Sequence, residues 1–397
     1  MLERAITPAL LRAAATMPVV TLVGPRQSGK TTLVRHAFPD HAYVSLERPD
    51  LRAQALADPL GFLDRFGPRT ILDEVQRAPE LASYIQGRVD DDGTPGRFIL
   101  TGSQNFLLMQ HVSQSLAGRV AVLHLLPLTV AELWGRPAVD VGRVGTIDSV
   151  RTSPRGSLWS TLVAGFYPRI HDRGLDPGEW LADYRRTYVE RDLRDVLRVM
   201  DLAAFDRFLR LAAARTGQEL NLSDLASDTG ISQPTARQWL SALETGFLVM
   251  VLSQHHQSYR KRLRKRPKLH FLDTGLTCHL LGIRDASTLE AHPLRGAIFE
   301  SFVVGELAKG FHNRRMDPPL FHWRDATGHE VDILVDHGSR LMPIEVKSGK
   351  TVAPDATATL EWWCHIAGAP IADAVLVHGG EDAYRLRGVS VLPWYLG

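Results

Sequence analysis

The chain has 397 residues, with 46 Lys and Arg against 44 Asp and Glu, for a formal net charge of +2. Hydrophobic residues make up 44% and charged residues 23%, which excludes a disordered or fibrous chain and allows two to four domains with buried cores. The two cysteines, Cys278 and Cys364, are too few for a disulfide framework or a zinc site and fit a reducing cytoplasm. The opening segment MLERAITPALLRAAATMPVV carries Glu3 and no continuous apolar run, so it does not read as a secretory signal. No run approaches the roughly 18 apolar residues of a membrane span. The expected location is therefore cytoplasmic, with no membrane partner.

Residues 19–24 (VVTLVG) are apolar throughout, as in a parallel strand buried on both faces. GPRQSGKT follows and matches G-x-x-x-x-G-K-[ST] between this strand and a helix expected over residues 30–37. Gly24, Pro25, Arg26, Gln27, Ser28 and Gly29 form a loop whose amides can point at phosphate oxygens, with Thr32 in the helix that follows. Lys30 should reach the β- and γ-phosphates, and Thr31 should ligate magnesium. Short apolar runs at Tyr43–Leu46, Thr70–Leu72, Arg97–Leu100 and Val120–Leu125 alternate with helical stretches, the rhythm of a doubly wound α/β domain.

TILDEVQ ends a strand in Asp73, placed to hold the magnesium shell, and Glu74, placed to orient the attacking water. ILTGSQN offers Thr101, Ser103 and Gln104 as sensors of the γ-phosphate, or simply as a polar turn. SLAGRV puts Arg119 just before the next strand. It reads either as a surface arginine or, in a homo-oligomer, as a finger reaching a neighbour's nucleotide.

Residues 135–157 are rich in Gly, Pro, Arg and Ser and read as a connection, and residues 179–215 as helix. LSDLASDTGISQPTARQWLSALETGFLV has helix-turn-helix rhythm, with Thr229-Gly230 as the turn and Ser232 as the cap of the second helix. Gln233, Thr235, Arg237 and Gln238 would then face a DNA groove. YRKRLRKRPK places seven basic residues where the wing of a winged helix would lie: Arg260, Lys261, Arg262, Arg264, Lys265, Arg266 and Lys268. Such a density suits contact with a phosphate backbone, although the same run could be a solvated loop.

In EVDILVDHGSRLMPIEVKSG, Gly338-Ser339 suits a two-residue hairpin turn. That register faces His337 with Arg340, Ile333 with Ile344, Asp332 with Glu345 and Glu330 with Lys347. Opposed carboxylates repel in an ordinary sheet, and a bound Mg²⁺ or Mn²⁺ would reverse the sign. The alternative is an exposed Glu330–Lys347 ion pair.

Together these segments, with YVERDL, LRKRPKLHFLDTGL and GAIFESFVVGEL, resemble AAA+-type P-loop proteins that pair an AAA_14-type ATPase domain with a DUF4143 region. The resemblance implies ATP as the nucleotide. The last region is similar to the PD-(D/E)XK nuclease superfamily. That similarity implies Glu300, Asp332 and Glu345 as metal ligands and Lys347 as the group that orients water. The expected architecture is an α/β protein: a parallel-sheet P-loop NTPase domain (1–134), a linker and helical region (135–204), a winged helix (205–276) and a restriction-nuclease-like domain (290–397). Two functions fit. One is an ATP-driven enzyme acting on linear or branched DNA and cleaving it. The other is an ATP-driven switch whose nuclease-like domain only binds DNA or protein.

Overall fold

A computed structural model describes residues 2–103, 115–137, 142, 155–189, 201–256 and 266–395. The chain divides into two compact units. The first comprises Met1–Leu128 with Thr245–Phe247 and Phe311–Met316, and the second takes the remainder.

The first unit is built on five strands: β1 (Val19–Gly24), β2 (Ala42–Ser45), β3 (Thr70–Asp73), β4 (Phe98–Ser103) and β5 (Val120–His124). Their order is β2-β3-β4-β1-β5, and every pairing is parallel. The apolar run of β1 serves both faces of the sheet. Val19 and Val23 pack with Leu72, Leu100, Phe62, Leu81 and Ile85 on one side. Val20 and Leu22 pack with Leu10, Leu33, Val34, Ile71 and Ile99 on the other. Helices therefore cover both faces, and this is why the strand carries no polar alternation. β4 runs three residues beyond the expected Leu100, because its register with β1 continues to Gly24↔Ser103. That extension delivers Ser103 to the sheet edge where the phosphate loop begins.

The second unit contains helices Leu202–Ala213, Leu222–Thr229 and Gln233–Thr245, the last running on to Thr245 in the first unit. Three short strands accompany them: β6 (Gln218–Glu219), β7 (Val249–Leu252) and β8 (Lys268–Phe271), in the order β6-β8-β7 and antiparallel. Asn221 caps the helix Leu222–Thr229 by accepting from the amides of Ser223 and Asp224, and Gly230 ends it at φ +79°. The Ser232 hydroxyl accepts from the Thr235 amide at 3.2 Å and starts the next helix. Trp239 fixes the packing, edge-on to Phe205 and Phe208 at 5.1 and 5.4 Å.

The same unit holds a six-stranded sheet: β9 (Leu320–Arg324), β10 (Glu330–Asp336), β11 (Leu341–Lys347), β12 (Val375–His378), β13 (Tyr384–Leu386) and β14 (Val389–Pro393), in the order β13-β14-β12-β11-β10-β9. β9, β10 and β11 are antiparallel, whereas β11, β12 and β14 are parallel. The β10–β11 hairpin adopts the register read from its turn. Ile333 faces Ile344, the His337 amide donates to the Arg340 carbonyl at 2.9 Å, and Gly338 takes φ +82°. Val331, Leu334, Leu360 and Trp363 form part of the core beneath. Among the described residues no helix is long and apolar enough to cross a membrane.

Gly24 closes β1 against the Leu125 carbonyl oxygen. A Cβ at this position would stand 2.1 Å from that oxygen, with φ at +156°. The Leu125 amide also donates to the Val23 carbonyl at 2.8 Å, so neither backbone segment is free to retreat. Gly24→Ala is expected to destabilise the first unit by about 1–3 kcal/mol, as overpacking does, which a denaturant titration of the full chain would register. An unchanged midpoint would show that the loop absorbs the methyl group.

Candidate nucleotide site and carboxylate cluster

The phosphate loop follows from backbone geometry. Gly29 takes φ +92°, and Gln27, a residue with a side chain, takes the left-handed φ +64°. Such a conformation in a non-glycine is a local strain that clusters at functional sites. The helix Lys30–Ala37 begins immediately after it. Lys30 is buried, and its ammonium donates to the carbonyls of Gly24 at 2.9 Å and Pro25 at 2.8 Å. Burial lowers its pKa to about 8, against the opposing pull of Glu74 and Asp73. Arg4 ties the loop from outside, donating to the Ser28 carbonyl at 2.7 Å and the Leu126 carbonyl at 2.6 Å. Arg26 is half-buried and Thr32 exposed.

Asp73 is the hub. Its carboxylate accepts from the Thr31 hydroxyl at 3.0 and 3.1 Å, from the Tyr43 hydroxyl at 2.7 Å and from the Thr101 hydroxyl. Burial, with that bond to Asp73, raises the Tyr43 phenol to about 12. A carboxylate and a threonine hydroxyl side by side form the hard-oxygen pair that a magnesium ion accepts. Glu74, one residue on, is held at φ +57° and turns its carboxylate to the Ser103 hydroxyl at 3.0 Å and to the Gln76 amide. Gln76 also donates to the Ser103 hydroxyl at 3.0 Å.

The structure thus brings together Lys30, Thr31, Asp73, Glu74, Thr101 and Ser103. Sequence reasoning missed Arg4, Tyr43 and Gln76. Gln76 was within sight, in the same TILDEVQ segment. Arg4 and Tyr43 had no signal, since only the tertiary fold carries them to the loop and to Asp73. Gln104 lies outside the described residues. Arg119 pairs with Asp90, Nη2 to Oδ2 at 3.1 Å, and is 37% exposed on its side chain.

In the second unit, Gln233, Arg237 and Gln238 are exposed on the helix Gln233–Thr245 while Ala236, Trp239, Leu240 and Leu243 are buried. Arg260, Lys261, Arg262, Arg264 and Lys265 lie outside the described residues, and Arg266 is exposed. Lys268, the last member of that basic run, is not at the surface. Its side chain is 4% exposed, and its ammonium stands 2.8 Å from Glu300 Oε1, 2.5 Å from Glu330 Oε1 and 3.9 Å from Asp332 Oδ1.

This alters the expected metal site. The β10–β11 ladder runs from Ile333↔Ile344 to Asp336↔Leu341, and the register of β10 against β9 shifts between Val331 and Leu334. Asp332 sits at that irregularity. Its Oδ2 accepts from the Val346 amide at 2.9 Å, so a side chain engages β11 where a regular pair with Glu345 was expected. Glu345 bonds Lys347 through Oε1 at 2.6 Å, and its Oε2 is buried with no hydrogen-bond partner. Glu330, expected opposite Lys347, pairs with Lys268 instead. Among the described residues no three His, Cys, Asp or Glu side chains are grouped to hold a metal ion. Glu300, Asp332 and Glu330 are drawn around an ammonium, and a divalent ion does not fit that arrangement.

Residues 16–134 match the AAA domain family AAA_14. Residues 155–287 and 295–396 match two domains of unknown function, DUF8612 and DUF4143. The chain belongs to the AAA_14 plus DUF4143 family. The uncharacterized proteins Rv2008c of Mycobacterium tuberculosis and Mb2031c of Mycobacterium bovis are each 33% identical to it over 386 residues, covering 96% of this chain and 81% of theirs. Among solved structures, the Walker-type ATPase PABY2304 of Pyrococcus abyssi is 16% identical, covering 70% of this chain and 96% of its own, with a TM-score of 0.40. A point variant of RuvB from Thermotoga maritima is 19% identical, covering 66% and 91%, with a TM-score of 0.28. As an AAA-type ATPase, the family member described here binds and hydrolyses ATP.

Burial raises the Glu300 carboxyl to about 8, with Asp332 adding to the shift and Lys268 opposing it. Burial and Asp332 raise Glu345 to about 7. Between the ordinary carboxyl range and these values the folded state holds protons that the unfolded state has lost. Stability conferred by the cluster is therefore greatest in mild acid and falls as pH rises toward 8. Thermal midpoints of the nucleotide-free chain from about pH 5 to 8 should show this decline, and Glu300→Gln should flatten it. A midpoint in Glu300→Gln that tracks the unmodified chain at every pH would place the proton elsewhere.

Proposed function

We propose that this chain is a magnesium-dependent ATPase whose nucleotide state controls its engagement of DNA, with a C-terminal fold that binds rather than cleaves. The observation that carries the nucleotide half is the set of Lys30, Thr31, Asp73, Glu74 and Ser103 at the carboxyl ends of β1, β3 and β4. Lys30 exchanges its two carbonyl partners for β- and γ-phosphate oxygens. Thr31 and Asp73 would hold a magnesium ion, which would supply charge neutralisation on the phosphates. Glu74 orients and polarises the attacking water, and Ser103 with Gln76 fixes the Glu74 carboxylate. Pro25, Arg26, Gln27, Ser28 and Thr32 line the same phosphate cradle. Lys30→Ala should abolish nucleotide binding. Glu74→Gln should retain it and slow phosphate release by about 10²-fold, the lower range for loss of a general base. Turnover at the unmodified rate in either variant would remove these roles.

The DNA half rests on the exposed Gln233 and Arg237 beside a capped helix pair, and on the basic run that joins β7 to β8. This reading takes that helix pair as the recognition element of a winged helix, with Arg260, Lys261, Arg262, Arg264, Lys265 and Arg266 as contacts to the phosphate backbone. Arg119 serves in an oligomer as a finger toward a neighbouring nucleotide. Its surface pair with Asp90 is worth only about 0–1 kcal/mol and exchanges readily. The cleavage reading is disfavoured by the Lys268 ammonium among the carboxylates. The deciding measurement is ATP turnover of the full chain across duplex, single-stranded and branched DNA, with Mg²⁺- and Mn²⁺-dependent cleavage scored in the same tubes. Turnover should rise several-fold on at least one DNA, with no strand broken. Saturating DNA that changes neither turnover nor assembly state would exclude DNA as the partner, and cleavage abolished by Asp332→Asn would restore the nuclease.

A further inference from the structure

The carboxylate cluster of the second unit draws Glu300 from the helix Arg295–His312, Glu330 and Asp332 from β10, and Glu345 from β11. A cluster of four acids at one place needs cations: Arg324 stands 3.8 Å from Glu330 Oε2 at the exposed edge, and two lysines supply one each. Lys347 lies 2.6 Å from Glu345 and is 45% exposed on its side chain, so it is a rim partner. Lys268 arrives from β8 and is nearly sealed, with two carboxylate oxygens at hydrogen-bond distance and a third at 3.9 Å.

Its placement is built into the fold. Lys268 opens β8, where it pairs with Glu219 of β6 and Leu252 of β7. His270, two residues along the same strand, has Nδ1 3.0 Å from the Ser301 hydroxyl and Nε2 3.9 Å from Glu300. Alternate residues on a strand share a face, so both side chains of β8 meet the helix that carries Glu300 and Ser301. That pairing fixes the backbone of Lys268, and its side chain, 4% exposed, is enclosed beside the helix.

We propose that the Lys268 ammonium is the resident cation of this cluster and occupies the position a divalent metal would take. An ammonium and a divalent ion cannot share the same two or three carboxylates, because their mutual repulsion in a buried site is weakly screened. The buried Glu345 Oε2, left without a hydrogen-bond partner, shows that the cluster retains oxygen capacity beyond what the two lysines use. Removing the ammonium should therefore convert the cluster into a site for Mn²⁺ or Mg²⁺. The inference deepens the non-cleaving reading of the C-terminal fold and rests on it, but it concerns metal occupancy, which is measured separately from cleavage and from ATP turnover.

The test titrates the nucleotide-free full chain with Mn²⁺ and follows free Mn²⁺ by electron paramagnetic resonance. The unmodified chain should take up no Mn²⁺ that Asp332→Asn removes. Lys268→Met should gain one Mn²⁺ per chain, lost again when Asp332→Asn is added, and Lys268→Arg should gain none. Because Lys268→Met could fail to fold, amine labelling of Lys268 in the unmodified chain, read by peptide mass, gives a second measurement. Labelling should be slow and indifferent to Mn²⁺. Two results would overturn the proposal: stoichiometric Mn²⁺ uptake by the unmodified chain that Asp332→Asn abolishes, or Mn²⁺-accelerated labelling of Lys268. A folded Lys268→Met that takes up no Mn²⁺ would overturn the claim of latent metal capacity.

Discussion

A lysine ammonium withdrawn from water must be surrounded by oxygen, and each unit of this chain is organised around one such group. Leaving a buried charge unpaired costs several kcal/mol, far more than most single contacts return. In the first unit, Lys30 meets this requirement with the carbonyls of Gly24 and Pro25, which only a tightly folded loop can present. In the second, Lys268 meets it with carboxyl oxygens of Glu300 and Glu330, from two different elements. The two solutions differ in kind. Carbonyl oxygens are weak partners that phosphate oxygens can replace, so Lys30 is poised for exchange. Carboxylates bind an ammonium as a charge pair, so Lys268 is fixed.

Strand order turns the first of these into a site. β4 lies between β1 and β3, and the three strands end at one edge. Lys30, Asp73 and Ser103, separated by dozens of residues, thereby reach a single place. Asp73 is held from three directions, by Thr31, Tyr43 and Thr101, so its orientation does not depend on a bound ion. Glu74 is displaced from the strand by its left-handed backbone, which points it to Ser103 and Gln76 rather than along the sheet. Preorganisation of this type is what separates a hydrolytic site from a passive phosphate cradle.

The phosphate loop and the β10–β11 hairpin were both legible from sequence because their rules are local. A loop with glycines at fixed offsets and a lysine at its end, between a strand and a helix, leaves the backbone few options. A two-residue turn between strands likewise sets its register, and the observed Ile333↔Ile344 pairing follows from it. The reading failed where the partner came from afar. Asp332 looked like one half of a cross-strand pair, but an irregularity against β9 lets its side chain take the Val346 amide. Nothing within β10 or β11 announces the behaviour of β9. Tyr43 was invisible for the same reason, since its role arises from neighbours set by strand order.

Lys268 marks the boundary most clearly. By composition it belongs to the run YRKRLRKRPK, where seven of ten residues are basic and all look alike. The sequence by itself determined the phosphate loop, the alternation of the parallel-sheet unit, the helix cap at Ser232, and the hairpin register, because each depends on residues a few positions apart. Only the tertiary structure decided that Lys268 leaves the solvent. β8 pairs with β6 and β7 and faces the helix bearing Glu300, so its first residue is carried inside while Arg266 stays out. Charge is a property of the residue, but whether that charge meets water or carboxylate is fixed by contacts with segments tens of residues away.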